Sequence, residues 1–441
     1  MSVAAETGVY RSSFDGRLSA LRGTEPAWLL ALREAGMDRF EAQGFPTTRD
    51  EAWKYTSVAP IARVPFAPAE RGRFDGRSLA PFRIRGAREV VFVNGHHVPE
   101  LARGEPDGVV VTSLRDALAR DPETLRPHFG RLLGEGATPF AALNTALFED
   151  GAVVKVPPGH VGQGPIHLLY CSTADGPPAA AHPRTLILAG ARSQATVVET
   201  YAGPSGPVYL TNAVTEVVVE EGAILDHYMV QREGSESFHV ATLAARQERG
   251  SRFSDLSVTL GAILHRRDVD AVFGGEGGEC VLDGLFLAGE RQHMDTHTRI
   301  DHARAHCSSR ELYKGVLDGK ARGVFHGTIL VRKDAQKTDA MQTNKNLLLS
   351  RGALVNSTPA LEIFADDVKC KHGSTTGQLD AAALFYLRSR GIGEEAARAL
   401  LTYAFASDVV GRIKVEAVRS EVAAFLQSRL PQVGEVREAL A

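Results

Sequence analysis

From residue 151 to Cys370 the sequence alternates short strand-like runs with turns that carry glycine beside a polar or small residue. The turns at Gly190, Gly222, Gly250 and Gly278 are each followed by such a run, at a spacing of 28 to 32 residues. A strand-and-corner unit repeated at this period predicts a β-solenoid, in which each coil buries its face against its neighbours. A large antiparallel sandwich is the alternative, since it has a similar density of strands without a fixed period.

The region before this stretch, residues 1–150, has a mixed and largely helical pattern. Apolar residues recur at helical spacing over 28–40, and Gly44 with the Phe-Pro pair after it ends the predicted helix. A strand is predicted at 89–93, directly before a turn-forming Asn-Gly pair. A second helical pattern occupies 113–147. We therefore expect helices and a short strand ahead of the solenoid.

The pattern becomes helical again after Gly377. A first amphipathic helix ends at Gly391, a residue suited to the left-handed conformation there, and two more helices follow. The predicted units are 1–150, 151–376 and 377–441. The pattern alone favours a helical cap over the open end of the solenoid, with a docking surface for a partner as the alternative.

Composition excludes several classes of protein. A formal net charge of −3 gives no overall field that would attract nucleic acid or an anionic membrane. No apolar run approaches the roughly 20 residues of a transmembrane helix, and the N-terminus lacks the apolar segment of a secretory signal. The cysteines form no CxxC pair, which argues against a disulfide framework or a zinc finger. We expect a cytoplasmic protein with reduced thiols at Cys171, Cys280, Cys307 and Cys370.

The sequence lacks the usual motifs of nucleotide-binding and hydrolytic enzymes. The nearest approach to a Walker A loop, at 315–321, has one residue too few between its glycines and no Ser or Thr after Lys320. There is no GxSxG, no HExxH and no GxGxxG after a strand. We expect a chain that binds no nucleotide itself and is not an enzyme.

One cluster of potential metal ligands lies in the stretch QHMDTHTRIDHARAHC. Imidazole, carboxylate and thiolate groups suit borderline and soft metals, and in a strand residues 293, 295 and 297 would share one face. A polar ladder on a solvent-facing strand is the alternative, because a chain with 15 histidines will cluster some by chance. The candidate ligands are His293, Asp295, His297, Asp301, His302, His306 and Cys307.

A second constellation is Cys370-Lys371-His372, in the stretch CKHGSTTG. In a strand the thiol and the imidazole would stand side by side on one face. Lys371 is expected to lower the pKa of the Cys370 thiol and so favour the thiolate, the form that binds metal. An inert cysteine beside a structural histidine is the alternative.

The later part of the chain resembles the SufB/SufD family, the scaffold subunits of the SUF system of iron–sulfur cluster assembly. The resemblance covers about residues 180–430 and is carried by SSRELYKGVLDGKARGVFHGTILV, AQKTDAMQTNKNLLLS and PALEIFADDVKCKHGSTTGQLDAAALFYLRSRGI. The chain is similar to the SufD branch of this family in two stretches: the DDVKC-x-HG form, and GFPTTRDEAWKYTS from Gly44 to Ser57. Many relatives have CSHGAT where this chain has CKHGST.

The resemblance implies a right-handed parallel β-helix between two helical regions. It implies a complex with a SufB-type scaffold and two copies of a SufC-type ABC ATPase, in which Cys370 and His372 meet a transient iron–sulfur cluster or iron at the scaffold interface. ATP-driven dimerisation of the ATPase would expose that site by shifting a two-state population. It leaves open whether flavin takes part and whether the chain forms a homodimer alone. The C-terminal helices would dock the ATPase, through Phe385, Tyr386, Arg388, Leu400 and Tyr403.

Two other functions stay open at this point. One is a metal-dependent hydrolase or lyase that uses His293, Asp295 and His297. The other is a purely structural subunit in which Cys370 and His372 only pack.

Overall fold

The computed structural model describes residues 3–72, 74, 76–105, 107–134, 136–173 and 176–430. The α-helices are α1 Val3–Leu21, α2 Ala27–Gln43, α3 Ala59–Ala62, α4 Leu114–Arg120, α5 Pro139–Leu147, α6 Ala381–Ser389, α7 Glu394–Val410 and α8 Glu416–Arg429. The first eight strands are β1 Ala67–Pro68, β2 Arg88–Val93, β3 His96–His97, β4 Val110–Ser113, β5 Gly151–Val156, β6 Ile166–Cys171, β7 Ala179–Ala181 and β8 Arg184–Ala189. The later strands are β9 Gln194–Ala202, β10 Tyr209–Val219, β11 Ile224–Arg232, β12 Phe238–Gln247, β13 Arg252–Thr259, β14 Leu264–Phe273, β15 Glu279–Ala288, β16 His293–His302, β17 Ser308–Leu317, β18 Arg322–Val331, β19 Asp339–Leu348, β20 Leu354–Ile363 and β21 Lys369–Gly377.

These strands form a parallel β-solenoid of about eight coils, which confirms the solenoid and not the sandwich. Even-numbered strands from β8 to β20 lie in one sheet, and odd-numbered strands from β9 to β21 lie in the other. Each strand pairs in parallel with the strand two places along the chain: Ile224 lies beside Arg252, and Arg252 beside Glu279. The glycine period of the sequence is therefore the length of one coil.

The interior between the two sheets is filled by alternate side chains of each strand. On the odd-numbered sheet one inward column contains Leu225, Phe253 and Cys280, all fully buried. Phe325 and Ile300 face them from the other sheet. Apolar stacking of this kind supplies most of the favourable free energy of the fold, because each coil buries its surface on the coils beside it.

The N-terminal helices cover the outer face of the even-numbered sheet. Aromatic side chains of this region, among them Phe40, Trp53 and Phe140, pack on Leu210 and Phe238 of the sheet. The predicted helix over 28–40 is confirmed as α2, and its end at Gly44 has a positive φ of 66°. The predicted strand at 89–93 is confirmed as β2, with its Asn-Gly turn leading into β3.

The helical prediction over 113–147 is correct only at its two ends. Ser113 caps α4 by accepting a hydrogen bond from the backbone N–H of Asp116, and Thr138 caps α5 in the same way. Between α4 and α5 the chain forms a short 3-10 turn at Pro122–Thr124. Asp121-Pro122 interrupts the helix there, because proline disfavours helical geometry in the residue before it.

The C-terminal helices lie on the outer face of the odd-numbered sheet, opposite the N-terminal helices. Val409, Val418 and Leu426 pack on Tyr228 and Leu256 of that sheet. The three predicted helices are confirmed, and Gly391 after α6 has a φ of +87°. The interpretation of these helices as a cap is wrong: their apolar stripe is used against the flank of the sheet, and β21 at the open end stays exposed. Among the described helices none is long and apolar enough to cross a membrane.

Candidate functional site

The open end of the solenoid is formed by the last strand of each sheet, β20 and β21. In the described part of the chain each of these strands has a neighbour on one side only. In a parallel sheet the backbone N–H groups of a strand point alternately to one neighbouring strand and to the other. On β21 the N–H of Lys369 points inward and bonds to the carbonyl of Thr338, next to β19. The N–H groups of Cys370, His372, Ser374 and Thr376 therefore point away from the molecule. This edge is a row of unpaired backbone groups, of the kind to which another strand can add.

Cys370 and His372 lie together on β21, on the face that continues the interior columns. Cys370 is aligned with the buried Ala340 of β19, and His372 with the buried Gln342. Cys370 is half-buried beside the apolar residues around Ile329, whereas His372 is exposed. A thiol and an imidazole are thus adjacent at an accessible strand edge, as the strand pattern predicts.

The expected effect of Lys371 on the thiol is wrong. Burial raises the pKa of Cys370, the N–H of Ala340 partly offsets this, and Asp339 adds to the increase. Lys371 is aligned with the exposed Met341, on the opposite face of the strand, so its ammonium does not face the sulfur. In the isolated chain the thiol form is therefore favoured, and an iron ion or another positive group brought to the edge would favour the thiolate.

The interior directly beneath β21 is lined by polar side chains. Ser374 donates a hydrogen bond to Ser357 at 2.8 Å, and Ser357 donates to the side-chain oxygen of Asn344 at 2.8 Å. Asn344 also accepts from Asn346 at 2.5 Å. These bonds join the two sheets across the last coils. The polar lining continues from the exposed edge down into the solenoid.

One coil further in, this lining contains a buried carboxyl group. Gln342 lies on β19 beneath His372, and Glu311 lies on β17 beneath Gln342. Burial raises the pKa of Glu311 to about 7. The hydrogen bond from Gln342 and the nearby hydroxyl of Thr298 each lower this pKa, but less than burial raises it. The strand pattern did not predict this pair, because a polar residue in a single strand is indistinguishable from a solvent-facing one. The signal that could have found it is the spacing of the two residues, which matches one coil.

The first three candidate metal ligands of the histidine cluster do share a face of β16, and that face is the outer one. Asp295 is fully buried and binds the guanidinium of Arg266 at 2.6 Å and the hydroxyl of Thr56 at 2.5 Å. His293 shares the same hydroxyl at 2.8 Å, and His297 lies 3.2 Å from Asp295. These groups hold the segment GFPTTRDEAWKYTS against the sheet, so the cluster and the N-terminal signature are two halves of one contact.

The other members of the cluster are dispersed. Asp301 pairs with Arg332 at 2.7 Å on the outer face, and His302 points inward and bonds to Ser309 at 2.9 Å. His306 occupies the turn with a φ of 60°, and Cys307 is buried in the interior. Among the described residues no three His, Cys, Asp or Glu side chains come together in a geometry that could hold a metal ion.

The residues assigned to partner docking differ in exposure. On α6, Phe385 is 75% exposed and Tyr386 is 56% exposed. Arg388 is also exposed and lies 3.4 Å from Glu394. By contrast Leu400 and Tyr403 of α7 are half-buried, and Tyr403 packs toward the sheet. Large aromatic groups on α6 are therefore the accessible part of this surface.

A buried ionic network inside the solenoid was also missed from the sequence. Arg267 binds Asp255 through two bonds of 2.8 Å, and His227 bonds to the same carboxylate at 2.7 Å. Burial alone would lower the pKa of His227, but hydrogen bonds to Asp255 and Glu199 raise it to about 9. The network joins the two sheets, because Arg267 lies on β14 and its partners lie on β11 and β13.

Family comparisons cover nearly the whole chain. Residues 170–405 match the family model described as the SufBD core domain of SUF-system FeS cluster assembly. Residues 5–168 match the model described as the SufBD protein N-terminal region. The core match includes the candidate site on β21 and reaches into α7.

Individual relatives align along most of their length. An iron–sulfur cluster assembly SufBD family protein of Synechocystis is 34% identical over 96% of this chain and 96% of its own. The iron–sulfur cluster assembly protein SufD of Escherichia coli is 31% identical over 88% of this chain and 90% of its own. Protein ABCI7, chloroplastic, of Arabidopsis thaliana is 29% identical over 89% of this chain and 84% of its own.

Proposed function

This chain belongs to the SufBD family of iron–sulfur cluster assembly proteins, and on that premise we propose that it is the SufD-type scaffold subunit of a cluster-building complex. Its partners in this proposal are a SufB-type scaffold and a SufC-type ABC ATPase. The cluster is cargo that forms at the scaffold interface and leaves it. The chain itself is not an enzyme, and we propose that it works in the cytoplasm.

The observation that carries the proposal is the placement of Cys370 and His372 on an unpaired strand edge. A partner strand can bond to the free N–H and carbonyl groups of β21, which would place the thiol and the imidazole at the junction of the two scaffolds. Thiolate and imidazole are ligands that iron accepts. In this arrangement His372 binds iron or the nascent cluster, and Cys370 acts beside it.

The surface of α6 supports ATPase docking. Phe385 and Tyr386 expose aromatic area next to the open end, and α7 connects that area to the flank of the solenoid. On α7, the carbonyl of Phe405 accepts a bond from the buried Lys314 of β17 at 2.9 Å. A movement of the ATPase would thus act on the coils beneath the site through packed elements.

The alternative functions have less support. For a metal-dependent enzyme at His293, the carboxylate of Asp295 would have to leave Arg266 and Thr56, and that would release the N-terminal segment. A purely structural subunit gives no reason for an exposed imidazole beside a thiol at the edge strand.

Reconstituted cluster assembly tests the proposal. The complex is assembled anaerobically with wild-type chain, H372A or K371A, given iron and sulfide, and followed by the visible absorption of the cluster. Loss of a residue that only supports a metal ligand already lowers affinity or activity by about 10–100-fold, so H372A, which removes a ligand, should form cluster at least about tenfold more slowly. K371A changes the opposite face of the same strand and should behave like the wild type. Wild-type cluster formation by an intact H372A complex would refute the role of this site.

A further inference from the structure

Three residues with oxygen-bearing side chains lie next to one another inside the solenoid, beneath the candidate site. Glu311 and Gln342 occupy one interior column, directly below His372 in the register. Neighbouring strands lie about 4.8 Å apart, so Gln342 is one strand spacing and Glu311 two spacings from His372. Thr298 reaches the same layer from the opposite sheet, close enough to influence the carboxyl group of Glu311.

These side chains are buried and incompletely bonded. Gln342 donates its amide N–H to Oε2 of Glu311. That leaves Oε1 of Glu311 and Oε1 of Gln342 with no hydrogen-bond partner in the described part of the chain. The hydroxyl of Thr298 likewise has no assigned hydrogen-bond partner among the described residues, although it lies near enough to Glu311 to lower the pKa of its carboxyl group. A buried polar group without a hydrogen-bond partner destabilises the fold, so three such groups in one layer require an explanation.

A glycine on the opposite sheet makes room for the Gln342 side chain in this layer. Thr298 is paired with Gly327 on β18. A Cβ atom at Gly327 would lie 2.2 Å from the amide nitrogen of Gln342. A glycine therefore leaves the Gln342 side chain room to take its present position.

We propose that Glu311, Gln342 and Thr298 bind a divalent cation, and that ferrous iron is the one they hold in the working complex. Carboxylate, amide and hydroxyl oxygens are the donors that hard divalent cations prefer, and ferrous iron accepts them. The set contains a single carboxylate, so it differs from a cluster of His, Cys and acidic ligands. This inference rests on the proposed function: the site keeps iron one to two coils beneath His372, where nitrogen and sulfur ligands can take it over.

The competing explanation for the unbonded oxygen atoms is that the carboxyl group of Glu311 is protonated and neutral. If Glu311 simply carries a proton, its O–H can donate to a neighbouring oxygen and no cation is needed. The variant E311Q separates the two, because it keeps the shape and supplies N–H donors but removes the negative charge.

The experiment is a titration of the purified full-length chain with Mn²⁺, followed by the electron paramagnetic resonance signal of the free ion. We expect one strong site in the wild type, at least about tenfold weaker binding in E311Q, and an unchanged thermal unfolding curve. E362Q removes an exposed carboxylate from β20 at the same end and should bind like the wild type. No strong site in the wild type, or equal affinity in E311Q, would overturn the proposal.

Failure of this site and failure of the proposed function give different results. Mn²⁺ binding is measured on the chain alone, whereas cluster formation is measured on the complex. Loss of Mn²⁺ binding in E311Q together with unaffected cluster formation in H372A would keep the cation site and reject the role of His372. The reverse pair of results would reject the cation site and keep the role of His372.

Discussion

At the scale of single residues, chemistry in this chain depends on which face of a strand a side chain occupies. Cys370 and Lys371 are neighbours in sequence, yet the ammonium does not act on the thiol because the two point to opposite faces. The alternation of a strand was enough to predict that Cys370 and His372 share a face. It could not predict that this face continues the interior of the solenoid, since that depends on the register between coils.

The buried network around His227 makes the stability of the fold depend on pH. A histidine whose pKa rises from 6.5 to about 9 on folding stabilises the native state below pH 6.5, and this contribution is lost as the pH rises through 9. At about 1.4 kcal/mol per pKa unit the loss is on the order of 3 kcal/mol. We expect the free energy of unfolding to fall more steeply between pH 6 and pH 10 in the wild type than in H227Q, measured by urea denaturation. H128Q, outside the network, should follow the wild type; parallel curves for wild type and H227Q would contradict this assignment.

At the scale of secondary structure, the proposed function gives the edge strand β21 and the helix α6 separate tasks. The period of glycine turns predicted the solenoid because a repeating corner is a local property of the sequence. It did not predict where the C-terminal helices lie. The apolar stripe of these helices fits the end of the solenoid or its side equally well. The side is selected by apolar residues on the outer face of the odd-numbered sheet, such as Tyr228 and Leu256, which the helices bury.

Proline substitutions distinguish the two sides of β21. Thr376→Pro removes an N–H that points outward, so the chain should fold as before but lose pairing with the SufB-type scaffold. Thr375→Pro removes an N–H directed at β19 and should lower the unfolding temperature of the chain itself. Thermal unfolding and binding to the purified scaffold measure both effects. If T376P binds the scaffold as tightly as the wild type, β21 is not the pairing edge.

The aromatic residues of α6 should contribute to partner binding and little to stability. We expect the double variant F385A/Y386A to bind the SufC-type ATPase at least about tenfold more weakly, because exposed aromatic anchors dominate such interfaces. Its unfolding temperature should match the wild type. V161A, which shortens an apolar side chain exposed at the other end of the solenoid, is the control. Equal ATPase affinity in all three proteins, measured by calorimetry, would remove α6 from the docking surface.

At the scale of the whole molecule, the solenoid keeps its two helical regions apart on opposite faces and leaves one end free. Each coil contacts mainly its neighbours. The N-terminal region contacts the even-numbered sheet, through Thr56 and Asp295, whereas α7 contacts the odd-numbered sheet at Lys314. The resemblance in sequence predicted this division into a solenoid with helical flanks. The sequence could not predict which end and which faces of the solenoid stay uncovered, because that depends on where the helices pack.

In the proposed function this chain is a scaffold that works only within a complex. The most direct test is anaerobic affinity purification of the tagged chain from its native cytoplasm, with the mass of the intact complex measured by native mass spectrometry. We expect a fixed assembly with one SufB-type scaffold and a SufC-type ABC ATPase, and in T376P only the chain with the ATPase. A chain that is recovered without either partner would contradict it.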